Sequence, residues 1–240
     1  MTLVDRAAEQ IRVDNIAADS WYGKGVNADT VEYSVRVFSR FWCGQRCLEL
    51  GPAEGLMTGV LAERFPRLTI VEGALDFCVD LRRRFPDANV VHSLFEEFET
   101  PDRFDTVVLG HVLEHVESPV DLLRHISQFL APGGVFCSAV PNARSLHRQA
   151  AVIMGLLPTE HTLNEMDLHH GHRRVYNPES FRADFLTAGL KILHFGGYWI
   201  KPLSNAQLEA NWTTEMIEAF FKLGERYPDI AAEIYVIAAN

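Results

Sequence analysis

Short apolar runs alternate along the chain with longer segments in which apolar residues recur every three or four positions. The runs predict seven strands, at residues 47–50, 68–71, 89–92, 104–109, 135–140, 190–200 and 232–238. The intervening segments have helical spacing, for example at Val31, Val35 and Phe38 within residues 29–41. Strands joined by helices in this way predict an α/β fold with a mostly parallel sheet that is covered on both faces.

The ends of several elements can also be predicted. Ser118 and Pro119 are typical of a helix start, and the helix is expected to cover residues 119–130 before Ala131-Pro-Gly-Gly134 ends it. A single helix is predicted over residues 205–227. Residues 142–155 have a helical pattern, whereas residues 156–176 form an irregular stretch rich in His and Arg. Loops of this length in compact domains are usually functional.

Residues 46–72 have the layout of a nucleoside-binding βαβ unit. Gly51 ends the first strand, Gly55 precedes a helix, and Glu72 stands at the tip of the second strand. Glycine allows a ligand to approach the backbone, and a carboxylate can accept hydrogen bonds from both ribose hydroxyls. A dinucleotide cofactor is disfavoured because Glu54 would repel its pyrophosphate. The loop therefore favours a nucleoside cofactor that has no phosphate and carries a positive centre.

Three motifs resemble those of class I S-adenosylmethionine-dependent methyltransferases of the ubiquinone type. They are Leu48-Glu-Leu-Gly-Pro-Ala-Glu-Gly55, Phe104-Asp-Thr-Val-Val-Leu-Gly-His-Val-Leu-Glu-His-Val116 and Leu130-Ala-Pro-Gly-Gly-Val135. Glu72 matches the ribose-binding acid of that family. The resemblance implies a doubly wound, Rossmann-like, seven-stranded mixed sheet whose strand seven is antiparallel, with a lid of helices and loops. It implies S-adenosyl-L-methionine as the cofactor and a methyltransferase activity.

The resemblance and the motifs together divide the chain into four parts. Residues 1–42 are expected to form N-terminal helices and a lid, and residues 43–141 the cofactor-binding half. Residues 142–177 are expected to be a substrate lid, and residues 178–240 to complete the sheet. The aromatic, glycine-containing segment 20–27 is interpreted either as a loop that caps the core or as a lid in which Tyr22 or Trp21 contacts the cofactor.

The motifs predict which residues bind the cofactor and which are catalytic. The expected cofactor-binding residues are Tyr22, Glu49, Gly51, Gly55, Glu72, Gly73, Ser93, Leu94, Phe95, Gly110 and His111. His111 and His115 are the candidate catalytic residues, because a histidine can act as a general base near neutral pH. His115 has an alternative interpretation, in which it holds its loop together by hydrogen bonds.

The substrate site is predicted from the irregular stretch and from the residues after strand five. The expected substrate-binding residues are Asn142, Arg144, His169, His170, Arg173 and Tyr176. A polar structural loop is one alternative. Another is a divalent metal held by His111, Glu114 and His115 together with His169 or His170. We expect no metal, and we interpret the lid histidines as serving the substrate.

Charge and composition narrow the function. The formal charge of −10 argues against a nucleic-acid partner. The absence of a hydrophobic leader and of an apolar run of about 18 residues predicts a soluble, cytoplasmic protein without a membrane partner. The four cysteines are expected to be free thiols. The expected function is methyl transfer to O or N of a small secondary or cell-surface metabolite, by a monomer or homodimer. The alternatives are a non-catalytic nucleoside-binding module and an RNA or protein methyltransferase.

Overall fold

The computed structural model describes residues 6–20 and 23–240. The strands are β1 (Arg46–Leu50), β2 (Arg67–Glu72), β3 (Asn89–His92), β4 (Phe104–Gly110), β5 (Leu130–Pro141), β6 (Lys191–Tyr198) and β7 (Glu233–Ala239). The α-helices are α1 (Arg6–Ala18), α2 (Gly25–Phe38), α3 (Leu56–Arg64), α4 (Leu75–Arg84), α5 (Pro119–Ser127), α6 (Leu146–Ile153), α7 (Glu165–His169), α8 (Pro178–Thr187), α9 (Asn205–Asn211) and α10 (Thr214–Gly224).

The strands form one sheet in the order β3-β2-β1-β4-β5-β7-β6. Strands β1 to β5 pair in parallel, whereas β7 pairs antiparallel with both β5 and β6. The mixed sheet with an antiparallel strand seven is therefore confirmed. The strand order reverses between β1 and β4, and ligands of open α/β sheets bind in the crevice outside the carboxyl ends of the strands at such a switch point.

Both faces of the sheet are buried, because successive side chains along each strand point to opposite faces. On β4, Val107 and Leu109 belong to one hydrophobic cluster, which also contains Phe181 of α8. Val108 belongs to a second cluster, which contains Phe38 of α2. This double burial explains why the strands read as continuous apolar runs in the sequence.

Helix α1 is tied across the carboxyl edge of the sheet by polar contacts. The side chain of Gln10 donates to the carbonyl oxygen of Gly73 at 2.8 Å. The Arg12 guanidinium donates to the carbonyl oxygens of Gly171 and His115, each at 3.1 Å. Helix α1 therefore covers the crevice that the strand order creates.

Three element boundaries differ from the predictions. Helix α5 ends at Ser127 and not at residue 130, and β5 begins at Leu130, before the Pro-Gly-Gly residues that were expected to form a turn. The pairing of β5 with β4 shifts register at these residues. The predicted final helix is two helices, because Trp212 is extended and the Thr213 hydroxyl accepts from the Met216 amide to start α10. The irregular stretch contains the short helix α7.

None of the helices formed by the residues that the structure describes combines the length and the apolar character needed to cross a bilayer.

Candidate functional site

A cavity of about 270 Å³ lies at the carboxyl ends of β1, β2 and β4, under helix α1. This volume is near the lower end of the range of small-molecule sites, about 300–1,000 Å³. Its wall includes the turn after β1, the tips of β2 and β4, the start of β7 and the segment after β6. The cavity therefore coincides with the crevice at the switch point.

The turn after β1 brings the backbone to the cavity surface at Gly51. This residue has a φ of +65°, which favours glycine. A Cβ there would lie 3.1 Å from Phe95 Cζ and 3.2 Å from Val112 Cγ2. At the tip of β4, a Cβ on Gly110 would lie 3.3 Å from Met57 Cε. A side chain at either glycine would crowd the site, so the two positions provide the close backbone approach that a nucleoside cofactor needs.

Glu72 ends β2 with its carboxylate at the cavity. The backbone N–H of Ala74 donates to Oε1 at 2.8 Å, and that of Ala53 donates to Oε2 at 3.3 Å. Burial raises the pKa of Glu72 to about 7, although these amides favour the ionised form. Each carboxylate oxygen can accept a further hydrogen bond, so the oriented group fits the paired hydroxyls of a ribose.

Glu49 lies on β1 beneath the same turn. The Thr58 hydroxyl donates to its Oε2 at 2.8 Å. Burial raises the pKa of Glu49 to about 8, which makes the neutral acid the main form at neutral pH.

The expected adenine-side residues divide into two groups. Gly73, Leu94 and Phe95 line the cavity. Ser93 does not; its hydroxyl donates to the Leu94 carbonyl oxygen. Gly55 is also not part of the wall, because it faces α4, where a Cβ would lie 2.7 Å from Leu81 Cδ2. The glycine at residue 55 therefore serves helix packing, which corrects the expectation of a cofactor contact. Tyr22 lies outside the described residues.

His111 follows β4 directly and lines the cavity in an unusual backbone conformation. Its φ is +57°, and its amide donates to the Ala139 carbonyl oxygen at 2.9 Å. Its Nδ1 lies 3.5 Å from Glu114 Oε1 and 3.8 Å from Glu233 Oε2, and its Nε2 lies 3.5 Å from the Tyr198 hydroxyl. Burial opposes the charged imidazolium, but the two carboxylates outweigh it and raise the pKa of His111.

Glu114 is fully buried beside His111. Neither carboxylate oxygen has a hydrogen-bond partner among the described residues. Burial works to raise its pKa, yet the neighbouring histidines, His111 first, hold it below the ordinary value. The carboxylate is therefore ionised and aimed at the imidazole.

A second group of histidines completes this side of the cavity. Ligand atoms of Glu114, His115 and His172 all lie within 4.8 Å of one another, a spacing that a metal ion could bridge. Burial lowers the pKa of His115 to about 3 and that of His170 to about 4, so both are neutral. His170 and His172 line the cavity.

Three expected substrate residues lie elsewhere. The Asn142 amide is buried and donates to the carbonyl oxygens of Asp229 and Ala231. Arg144 pairs with Glu179 on α8. The Tyr176 hydroxyl donates to Asp184 at 2.8 Å, and its ring packs in the core. Each polar group is already occupied in the structure, which corrects the expectation that these residues face a substrate.

Arg173 and His169, two further expected substrate residues, contact the N-terminal segment of the chain. Arg173 pairs with Glu9 of α1 and with Glu117, each at 2.6 Å, and its Nε donates to the His115 carbonyl oxygen. It lies outside the cavity wall, as does His169, whose Nδ1 is 3.9 Å from Asp19 Oδ2. Arg173 thus connects α1 to the loop after β4.

Glu233 and Lys201 are among the charged wall residues that the sequence interpretation missed. Glu233 begins β7 opposite Pro141, at the end of β5, and Lys201 follows β6 by three residues. Glu233 Oε2 has no hydrogen-bond partner among the described residues. No local motif marks either residue; the one available signal is that each lies at a strand end.

Comparisons with known proteins bear on the family and the fold of the chain. A family model described as a methyltransferase domain matches residues 4–195. The ubiquinone biosynthesis O-methyltransferase of Aeromonas salmonicida is 26% identical over 192 residues, which cover 72% of this chain and 76% of the relative. That of Paramagnetospirillum magneticum is 26% identical over 174 residues, with coverages of 70% and 68%.

Solved structures share the fold. The N-methyltransferase NodS of Bradyrhizobium japonicum, in complex with S-adenosyl-L-homocysteine, has a TM-score of 0.62 at 15% identity and covers 99% of both chains.

Proposed function

Because this chain belongs to the methyltransferase-domain family and is a class I S-adenosylmethionine-dependent methyltransferase, we propose that it methylates a hydroxyl oxygen of a small molecule. In this proposal His111 is the general base. Glu49, Gly51, Glu72, Gly73, Leu94, Phe95 and Gly110 are the residues that would hold the cofactor.

The observation that carries the proposal is the environment of His111. The imidazole stands at the tip of β4, in the wall of the same cavity as the turn after β1, with Glu114 and Glu233 near its Nδ1. A base of raised pKa that is backed by carboxylates can take a proton from a hydroxyl and remain stabilised as the imidazolium. The O-methyltransferase names of the curated relatives also support an oxygen acceptor.

Bound S-adenosylmethionine supplies a methyl group on a sulfonium, which is already a good leaving group. The residues of this chain must then orient the acceptor oxygen and remove its proton. Orientation of this kind can account for roughly 7–11 kcal/mol of a barrier. The buried carboxylate of Glu114, 3.5 Å from His111 Nδ1, stabilises the imidazolium that forms, and residues of α1 contribute to the wall of the site.

The test combines binding with product analysis. Calorimetry should detect binding of S-adenosylhomocysteine. Radiolabelled S-adenosylmethionine should label hydroxylated small molecules in a screen, with the new methyl group found on oxygen by NMR. Labelling that is confined to nitrogen acceptors, or to RNA or protein, would contradict the proposal.

We also propose that His170 and His172 face the acceptor and that no metal is needed, since His111 would remove the proton of the acceptor hydroxyl without a Lewis acid. Prolonged treatment with a chelator is therefore expected to leave methyl transfer unchanged. The measurement is activity before and after chelation, with metal content checked by elemental analysis. Activity that is lost and then restored by a divalent ion would instead assign Glu114, His115 and His172 to a metal.

A further inference from the structure

Lys201 places an ammonium group in the cavity wall, where Glu233 acts on its charge without forming a direct ion pair with it. Among residues 6–20 and 23–240, its side chain makes no hydrogen bond or ion pair; the ammonium stands 4.9 Å from the centroid of the Trp199 ring. Burial lowers the pKa of Lys201 to about 8, because a desolvated cation is costly. A cation held in this way is suited to binding an anion.

The order of the strands shows where Lys201 lies in the cavity. His111 follows β4, and the turn after β1 and Glu72 of β2 lie on one side of that strand. Strands β5, β7 and β6 lie on its other side, and Lys201 follows Tyr198, the last residue of β6, which pairs with Glu233 of β7. Lys201 is thus on the opposite side of His111 from the cofactor turn, in the wall of the same cavity.

The backbone that carries Lys201 is fixed by several hydrogen bonds. Trp199, which has a φ of +68°, donates to the Phe221 carbonyl oxygen at 3.0 Å. The Ile200 amide donates to the Phe220 carbonyl oxygen at 2.8 Å, and the Ala232 amide donates to that of Trp199 at 2.7 Å. The ammonium is therefore presented from a rigid segment, which limits the entropy lost when it binds a ligand.

We propose that Lys201 binds a carboxylate of the methyl acceptor, so that the substrate is a hydroxy acid whose hydroxyl lies at His111. A single ammonium balances one negative charge. Glu233 beside it disfavours a dianion such as a phosphate monoester. The inference rests on the proposed function, because it assumes that the acceptor reacts at His111.

The test uses hydroxybenzoic and hydroxycinnamic acids, each paired with its uncharged carboxamide. Binding of both members of each pair to the complex with S-adenosylhomocysteine is measured by calorimetry. We expect at least one acid to bind about tenfold or more tightly than its amide, a difference of about 1.4 kcal/mol. Lys201→Met should abolish that preference while keeping an unbranched apolar side chain of similar length. Lys191→Met, at an exposed position on β6, is the matched control and should keep it.

The remaining outcomes would overturn the inference. Equal binding of acids and amides, or binding of none of the acids, would contradict the proposal that Lys201 binds a carboxylate of the acceptor. If Lys201→Met weakened binding of S-adenosylhomocysteine itself by about tenfold, the ammonium would serve the carboxylate of the cofactor. Methylation of an uncharged hydroxyl compound would leave the proposed function intact in each of these cases. Failure of the unaltered protein to bind S-adenosylhomocysteine would remove both proposals.

Discussion

Replacing Glu72 with alanine is expected to weaken the binding of S-adenosylhomocysteine by well over tenfold. The carboxylate is buried at the end of β2 and oriented by the amides of Ala53 and Ala74. Its loss would remove charge-assisted hydrogen bonds to both ribose hydroxyls, which contribute about 1.5–3 kcal/mol each. Calorimetry with S-adenosylhomocysteine measures the change directly, without a known acceptor.

Two controls separate binding from folding. Glu72→Gln keeps an amide oxygen for the backbone contacts, and it should also weaken binding because the negative charge is lost. Glu63→Ala, at an exposed position on α3, should leave the affinity unchanged. The melting temperature of each variant shows whether the turn after β1 remains folded. Unchanged affinity in a folded Glu72→Ala protein would remove Glu72 from the ribose site.

The cofactor half could be predicted from sequence because its geometry is local. Gly51 and Glu72 belong to a continuous βαβ unit, in which the parallel pairing of β1 and β2 places both residues at one edge of the sheet. Gly110 and His111 join them because β4 pairs with the other side of β1. The apolar runs were enough to predict these strands and a mostly parallel sheet.

The acceptor half could not be predicted in the same way, because its residues come from distant parts of the chain. Glu233 reaches the cavity only because β7 inserts between β5 and β6. Lys201 reaches the cavity because the chain turns at Trp199 after β6. Neither position has a local pattern, and both reach the cavity because β7 pairs with β5, a strand that does not directly precede it in the chain.

The opposite error is the prediction of substrate residues that lie outside the cavity wall. Asn142, Arg144 and Tyr176 have polar groups of the right type and follow the strand that ends at the cavity. The sequence gives no sign that an amide, a guanidinium or a phenol will be occupied within the protein. Asn142 is an example, since its side chain satisfies two backbone carbonyl groups before β7, which an isolated sequence pattern does not reveal.

Replacing His111 with asparagine is expected to lower kcat by about 10²–10⁴-fold on a hydroxyl acceptor, because the general base is lost. Asparagine tolerates the positive φ of this position, which alanine would strain. Affinity for S-adenosylhomocysteine and the melting temperature should change little. His194→Asn, at an exposed position on β6, is the control. A folded His111→Asn protein with unchanged kcat would exclude His111 as the base.

The pH dependence tests the same assignment through the neighbours of the imidazole. His111 must be neutral to accept a proton, and Glu114 and Glu233 raise its pKa above about 6.5 while Tyr198 supplies an uncharged hydroxyl. We therefore expect kcat to rise with pH, with a midpoint above that value. Glu114→Gln removes the nearer carboxylate and leaves burial, which favours the neutral imidazole, so the midpoint should move to lower pH. A midpoint that stays in place would show that another group controls the rate, because a base held by Glu114 must respond when that charge is removed.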